Sequence, residues 1–275
     1  MLTLFLAALA AAAPAVVQVP VANMYSAPTE DADVVSQAFY SVALAVLEEK
    51  GVWAKVRTAD QYQGWIAVKA LRRGTPYATG AKAASVKSLY AHLYREPSVT
   101  RHAPLLTVPF ESKLEIVSEA AGERWLRVRL VDDRSAWVQR GDLEWNQPKA
   151  TIAQMLDLAQ RFLGLPYTWG GTASFGYDCS GFTQMLCRRR GVVLPRDADQ
   201  QAVWSGLTEV PNDKAQPGDL LFFGSSMKKI THTGLMMGGG EFIHATTHQR
   251  PVIQISRLAE PYWTRLLVCV RRPKE

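Results

Sequence analysis

The stretch LPYTWGGTASFGYDCSGF, Leu165 to Phe182, decides how the rest of the chain is read. Its first part is rich in turn formers (Pro166, Gly170, Gly171, Gly176), and a helix is expected to open near Cys179 and run to about Arg190, ahead of Gly191. A cysteine at a helix start meets unpaired backbone N–H groups and the positive end of the helix dipole, which favour thiolate over thiol. The same N–H groups can receive the oxyanion formed when a carbonyl is attacked. Ser180 stands one residue inside this helix, Gly181 would let a substrate approach closely, and Trp169 with Gly170 and Gly171 would shape the loop and the substrate wall. A cysteine in a helix is more often a small buried residue than a nucleophile, so the case for Cys179 depends on its surroundings.

A nucleophilic thiol needs a base. His232 opens HTG, His244 sits in FIHA, and Gly238-Gly239-Gly240 between them reads as a hairpin turn. Two histidines on paired strands can meet: His232 would take the Cys179 proton, and His244 would accept the other ring N–H of His232 and fix its tautomer. The bland alternative for His244 is a satisfied core histidine. His92, His102 and His248 lie in loop-like surroundings and are expected to be solvated. Cys187 and Cys269 fall in apolar patterns and read as core. Three cysteines leave at least one free or paired between chains; their spacing fits no zinc site and no CxxC is present, so neither metal nor cofactor is implied. Thr151 is a good N-cap for a helix carrying Ile152, Met155, Leu156, Ala159, Phe162 and Leu163, which Gly164 and Pro166 end. Strands are expected at Asp219–Phe223, Thr233–Gly238, Glu241–Thr246 and Arg265–Arg272. Helices first and an antiparallel sheet after make an α+β layout.

Upstream, the chain repeats itself. Tyr25 and Pro28 recur as Tyr94 and Pro97, and the pair Trp53 and Trp65 recurs as Trp125 and Trp137. Short alternating runs between them (Trp53-Ala54-Lys55-Val56, Trp125-Leu126-Arg127-Val128) read as half-buried strands. Residues 20–145 thus resemble two tandem bacterial SH3-like barrels, one spanning 16–73 and one 74–146, before a linker at Asn146–Ala150 and a domain over 150–275. Residues 1–15 are apolar and Ala-rich, with small-x-small sites at Ala11–Ala13 and Ala13–Ala15; they read as a signal peptide lacking a basic flank, giving an exported protein, or a cytoplasmic one if the run is not a signal. The run is too short to span a bilayer. The net charge of +6 is spread out, with no basic stretch interleaved with aromatics, so a nucleic-acid partner is not expected.

From about residue 150 onward the chain resembles the NlpC/p60 cysteine peptidases, on six strings in order: PYTWGG (Pro166–Gly171), YDCSGF (Tyr177–Phe182), LPRDADQQ (Leu194–Gln201), PGDLLFF (Pro217–Phe223), HTG and FIHA. The resemblance implies a papain-like fold, a Cys179–His232–His244 triad, metal-free hydrolysis of bonds to D-glutamate in murein stem peptides, and Tyr167 beside the oxyanion. Two SH3-like domains ahead of it resemble the γ-D-glutamyl-L-diamino acid endopeptidases. That resemblance implies substrates with a free N-terminal L-Ala, whose ammonium Asp197 would pair with and Tyr62 would cover, while Ser180 and Asp178 would bind the D-Glu portion. Relatives often carry a Glu where this chain has Val35; Asp31 or Asp33 are the nearby carboxylates. Asp197 can alternatively cap the helix ADQQAVWSG, and Tyr62 can be an ordinary barrel aromatic; Trp65 reads as barrel core. Arg134 stands in the second barrel where the first has Tyr62. The leading reading is a monomeric thiol peptidase acting on murein-derived peptides through a thioester. The rivals are a catalytically silent cell-wall binder and a papain-like amidase or acyltransferase.

Overall fold

The structure, a computed structural model, describes residues 13–74, 76–80, 82–119 and 124–274. Seven strands build the first barrel: β1 (Ala13–Val17), β2 (Val21–Tyr25), β3 (Val34–Phe39), β4 (Ala43–Lys50), β5 (Trp53–Arg57), β6 (Gln63–Ala67) and β7 (Leu71–Arg73), in the order β3-β2-β6-β5-β4-β1-β7. The second is built from β8 (Ala83–Val86), β9 (Tyr90–Leu93), β10 (Leu106–Pro109), β11 (Lys113–Glu119), β12 (Trp125–Arg129), β13 (Ser135–Gln139) and β14 (Leu143–Glu144), with β9 and β10 as a separate hairpin. The sequence repeat has a physical cause. Tyr25 meets Trp53 edge-on at 5.4 Å, Tyr94 meets Trp125 the same way at 5.6 Å, and the registers Lys55↔Trp65 and Arg127↔Trp137 coincide.

The expected leader, residues 1–15, overlaps the first strand. Residues 1–12 lie outside the described residues, but Ala13–Ala15, assigned to the leader, belong to β1. Ala13, Pro14 and Ala15 pair with Val46, Ala45 and Leu44, and Ala15 is buried. Ala15, Val16 and Val17 are buried in succession and pack in the barrel cores.

The last unit holds α1 (Ile152–Gln160), the short strands β15 (Thr172–Ala173) and β16 (Gly176–Tyr177), α2 (Cys179–Arg189), α3 (Ala198–Val203), β17 (Leu207–Val210), β18 (Leu220–Ser226), β19 (Lys229–Gly238), β20 (Glu241–Thr246), β21 (Val252–Arg257), α4 (Pro261–Leu266) and β22 (Leu267–Pro273). The six-stranded sheet runs β17-β22-β18-β19-β20-β21, antiparallel throughout. Thr151 caps α1 through a reciprocal box with Gln154. Leu220 and Phe222 of β18 pack under Phe182, Met185 and Leu186 of α2, while Leu221 and Phe223 pack against Trp263 of α4. A strand covered on both faces reads as an unbroken apolar run, hence LLFF. The strand expected at Arg265–Arg272 begins only at Leu267, because Pro261 starts a helical turn that sinks Trp263 into the core.

Both barrels bear on the nucleophile's loop. Trp169 donates its indole N–H to the Val34 carbonyl (2.9 Å), the Thr172 hydroxyl donates to the Gln37 carbonyl (3.0 Å), and the Gln184 amide donates to Asp60 (2.7 Å). From the second barrel, Phe110 N–H donates to Ser174 (2.9 Å) and Arg188 pairs with Glu111. Gly181 serves this packing rather than substrate approach: a Cβ there would lie 2.1 Å from the Gly171 carbonyl oxygen, inside the protein. Gly181→Ala is therefore expected to cost about 1–3 kcal/mol or more by overpacking and to lower the thermal unfolding midpoint; an unchanged midpoint contradicts this packing.

Candidate active site

Asp178 is the N-cap of α2, and its carboxylate accepts from the Gly181 N–H at 2.7 Å. Cys179 follows as the first helical residue, 8% exposed. The backbone N–H groups of Ser180 and Thr233 face its sulphur, and Thr233 is the residue after His232. The cap, the thiol and the His232-bearing strand β19 therefore converge.

Across β19 and β20, His232 Nε2 and His244 Nδ1 lie 2.7 Å apart, and His244 Nε2 lies 3.1 Å from Ser256 Oγ. His244 is completely buried, while His232 keeps a partly exposed edge. Trp263, 2% exposed, lies over both rings, near-parallel to His232 at 5.3 Å and edge-on to His244 at 4.8 Å. It keeps water off the His–His hydrogen bond, which strengthens that bond in its low-dielectric surroundings.

Electrostatically the site departs from the thiolate expected at a helix start. Burial, and then the neighbouring Asp178 charge, push the Cys179 thiol up to about 12, against the opposing pull of the backbone N–H groups and Arg196. Burial pushes His232 down to about 3 and His244 well below its ordinary value, and His248 adds to both shifts. Desolvation thus opposes both charged forms and works against the helix dipole.

Arg196 holds the cap. Its side chain is 2% exposed and reaches Asp178 through two nitrogens (2.5 and 3.1 Å), Ser180 Oγ (2.9 Å) and, through Nε, Ser36 Oγ of β3 (2.9 Å). The Asp178 carboxylate, expected to bind the D-Glu portion, is engaged inside the protein. Four donors (Gly181 N–H, the Ser180 hydroxyl and two Arg196 nitrogens) already occupy its carboxylate. The hydroxyl of Ser180, 5% exposed, is engaged in the same network.

Tyr167 is half-buried next to Cys179, and burial with the nearby Cys179 and Asp178 raises its phenol, which stays a donor. Tyr62 reaches from the first barrel so that its hydroxyl faces the Asp197 carboxylate; burial and that carboxylate push the phenol up to about 12. Asp197 occupies the N-cap position of α3 without a side-chain cap bond; its carboxylate faces Tyr62 and accepts from the Gln200 amide at 3.4 Å, and burial raises its pKa. Val35 packs against the first barrel's core, and Asp31 and Asp33 are exposed. Trp169 is 70% exposed, spreading its ring over the seam with β3.

Two histidines differ from expectation. His248 stacks on Tyr262 at 3.8 Å and is half-buried, and His92 is half-buried with Nδ1 2.8 Å from Thr107 Oγ1; in both, ring contacts replace water. Sequence reasoning missed Arg196, Trp263 and Ser256. Arg196 lay within a quoted motif, whereas nothing local distinguishes the other two.

The NlpC/P60 family profile matches residues 164–272, and that of the bacterial dipeptidyl-peptidase SH3 domain matches 24–71. A protein from Bacillus cereus named gamma-D-glutamyl-L-lysine dipeptidyl-peptidase is 31% identical over 79% of this chain and 68% of its own length. One of the same name from Bacillus subtilis is 32% identical over 86% and 80%. A solved NlpC/P60 family structure from Bacillus cereus superposes with a TM-score of 0.81 at 26% identity, covering 94% of this chain and 99% of that one. With a cysteine on a capped helix start, a histidine pair on the adjoining sheet and relatives aligned along most of its length, the chain belongs to the NlpC/P60 family of cysteine peptidases.

Proposed function

We propose that the protein hydrolyses the γ-D-glutamyl-diamino acid bond of murein stem peptides that carry a free N-terminal L-Ala. The bond is supported by the names of the two Bacillus relatives. The amine requirement rests on one observation: Tyr62 of the first barrel faces the half-buried Asp197 beside the Arg196–Asp178 pair. A carboxylate withdrawn from water is costly unless a cation meets it, and the L-Ala ammonium supplies one. Val35 offers no second carboxylate, so Asp197 carries the recognition alone.

The chemistry follows from a neutral pair. As Cys179 Sγ bonds to the γ-carbonyl carbon of D-Glu, its proton passes to His232 Nδ1, whose other nitrogen is bonded to His244. The helix-start N–H of Cys179 and the Tyr167 hydroxyl meet the oxyanion. Collapse to a thioester expels the diamino acid amine, which takes the proton from His232. Water, deprotonated by His232, then releases L-Ala-D-Glu and restores the thiol. We place the enzyme outside the cytoplasm, as a monomer. No helix among the described residues is long and apolar enough to cross a membrane.

Incubation with L-Ala-γ-D-Glu-meso-diaminopimelate and its N-acetyl form, read by mass spectrometry, tests the reading. The free peptide is expected to be cut about 100-fold faster, the effect of about 3 kcal/mol from an unpaired buried charge. Equal rates contradict the amine pocket, and no cleavage of either contradicts the substrate. Cys179→Ala is expected to abolish turnover and His232→Ala to lower kcat by about 100-fold or more, both with unchanged unfolding midpoints; residual activity in Cys179→Ala would remove it as nucleophile.

The pH dependence has a definite sign. Asp197 must be ionised to hold the ammonium, and its pKa is raised above 3.8. For the free peptide, kcat/KM is therefore expected to fall on acidification through that raised value. Asp197→Asn should lose this limb, while the acetylated peptide should lack it in either protein; an unchanged limb in the variant assigns it elsewhere.

A further inference from the structure

We propose that Ser256 is a positioning residue of the Cys179–His232–His244 chain: its hydroxyl accepts the Nε2–H of His244 and holds that ring in the tautomer able to serve His232. The proposal rests on His232 acting as the base for Cys179, and one arm of its test needs no turnover.

A histidine as third member brings an ambiguity that a carboxylate or a fixed amide does not. Between His232 Nε2 and His244 Nδ1, 2.7 Å apart, there is room for one proton. If it sits on His232, Nδ1 of that ring is bare and can take the thiol proton, and His244 must then carry its own proton on Nε2. If it sits on His244 Nδ1, neutral His232 is protonated on Nδ1 and cannot act as a base. The two arrangements differ by a ring tautomer, so the partner of His244 Nε2 decides between them.

That partner is Ser256 Oγ, at 3.1 Å. Its placement follows from strand register: β21 sets Gln254 directly opposite His244 and Ser256 opposite Phe242, so Ser256 lies two residues further along the same face. Both residues are buried, His244 completely and Ser256 at 7% exposure. The rings of Phe242 and Trp263, at 4.5 and 4.8 Å, cover His244 and accept no such hydrogen bond. A buried imidazole N–H without an acceptor is penalised, so the serine oxygen stabilises the Nε2–H form. Once His232 becomes imidazolium, that form keeps Nδ1 of His244 ready as an acceptor.

The test uses the full chain with ring-15N histidine and the variants Ser256→Thr, Ser256→Val and Ser256→Ala. Threonine and valine are nearly isosteric, so their comparison isolates the hydroxyl from packing, and the alanine variant serves if valine does not fold. Nitrogen NMR is expected to show His244 protonated on Nε2 in the wild type and Ser256→Thr, and its Nδ1–H tautomer populated in Ser256→Val and Ser256→Ala. On a cleaved peptide, kcat is expected about tenfold lower in Ser256→Val than in Ser256→Thr with KM unchanged. The same His244 tautomer in all four proteins, or equal kcat in the Thr and Val variants, overturns the proposal. If the peptide is not cut at all, the substrate reading fails while the tautomer measurement still decides this one.

Discussion

At the mouth of α2, Asp178 and Arg196 are both withdrawn from water and joined through two nitrogens of the guanidinium. Neither charge is tolerable there alone. Paired, they orient the cap that starts the helix at Cys179, and the remaining Arg196 nitrogen reaches Ser36 in the first barrel. The contact thus joins three levels of the structure: a helix terminus, the geometry of the nucleophile, and the docking of an SH3-like barrel more than a hundred residues upstream in the chain. It also places a positive charge near Tyr62 and Asp197, which opposes the upward pull of burial on that carboxylate.

The same withdrawal from water shapes the chemistry. With the thiol pushed up and both imidazoles pushed down, burial disfavours a resting ion pair. In the proposed mechanism, charge arises when a carbonyl is attacked, beside the helix-start N–H groups, the Tyr167 side chain and the hydrogen-bonded His232–His244–Ser256 chain. Trp263 closes the chain from water and ties it to the aromatic cluster of Phe223 and Phe242 beneath the sheet. Catalytic orientation and core packing here share the same side chains.

Much of this was legible because local signals and tertiary demands agree. Turn residues before Cys179, an apolar run after Asp219 and a Gly turn between two histidine-bearing strands each have a local cause, and the paired tyrosines and tryptophans reveal the barrels through an edge-on contact used twice. What was not legible depends on partners distant in sequence. The engagement of Asp178 depends on Arg196, eighteen residues on. The upward shift of the thiol follows from burial, which a helix-start rule does not include. Ser256 and Trp263 matter only through a strand register and a short helix that carry no motif, and Ala13–Ala15 have the composition of a leader but the pairing of a strand.

The central claim is that Cys179 carries the L-Ala-D-Glu half of the peptide as a thioester, with the amine end toward the first barrel. Acid-quenched intact-mass measurement, followed by peptide mapping, reads this directly during turnover of the unblocked peptide. The account predicts a transient adduct with the mass of one L-Ala-D-Glu acyl group on the peptide containing Cys179, absent when the amine is acetylated. An adduct on Cys187 or Cys269, or one bearing the diamino acid half, would contradict it.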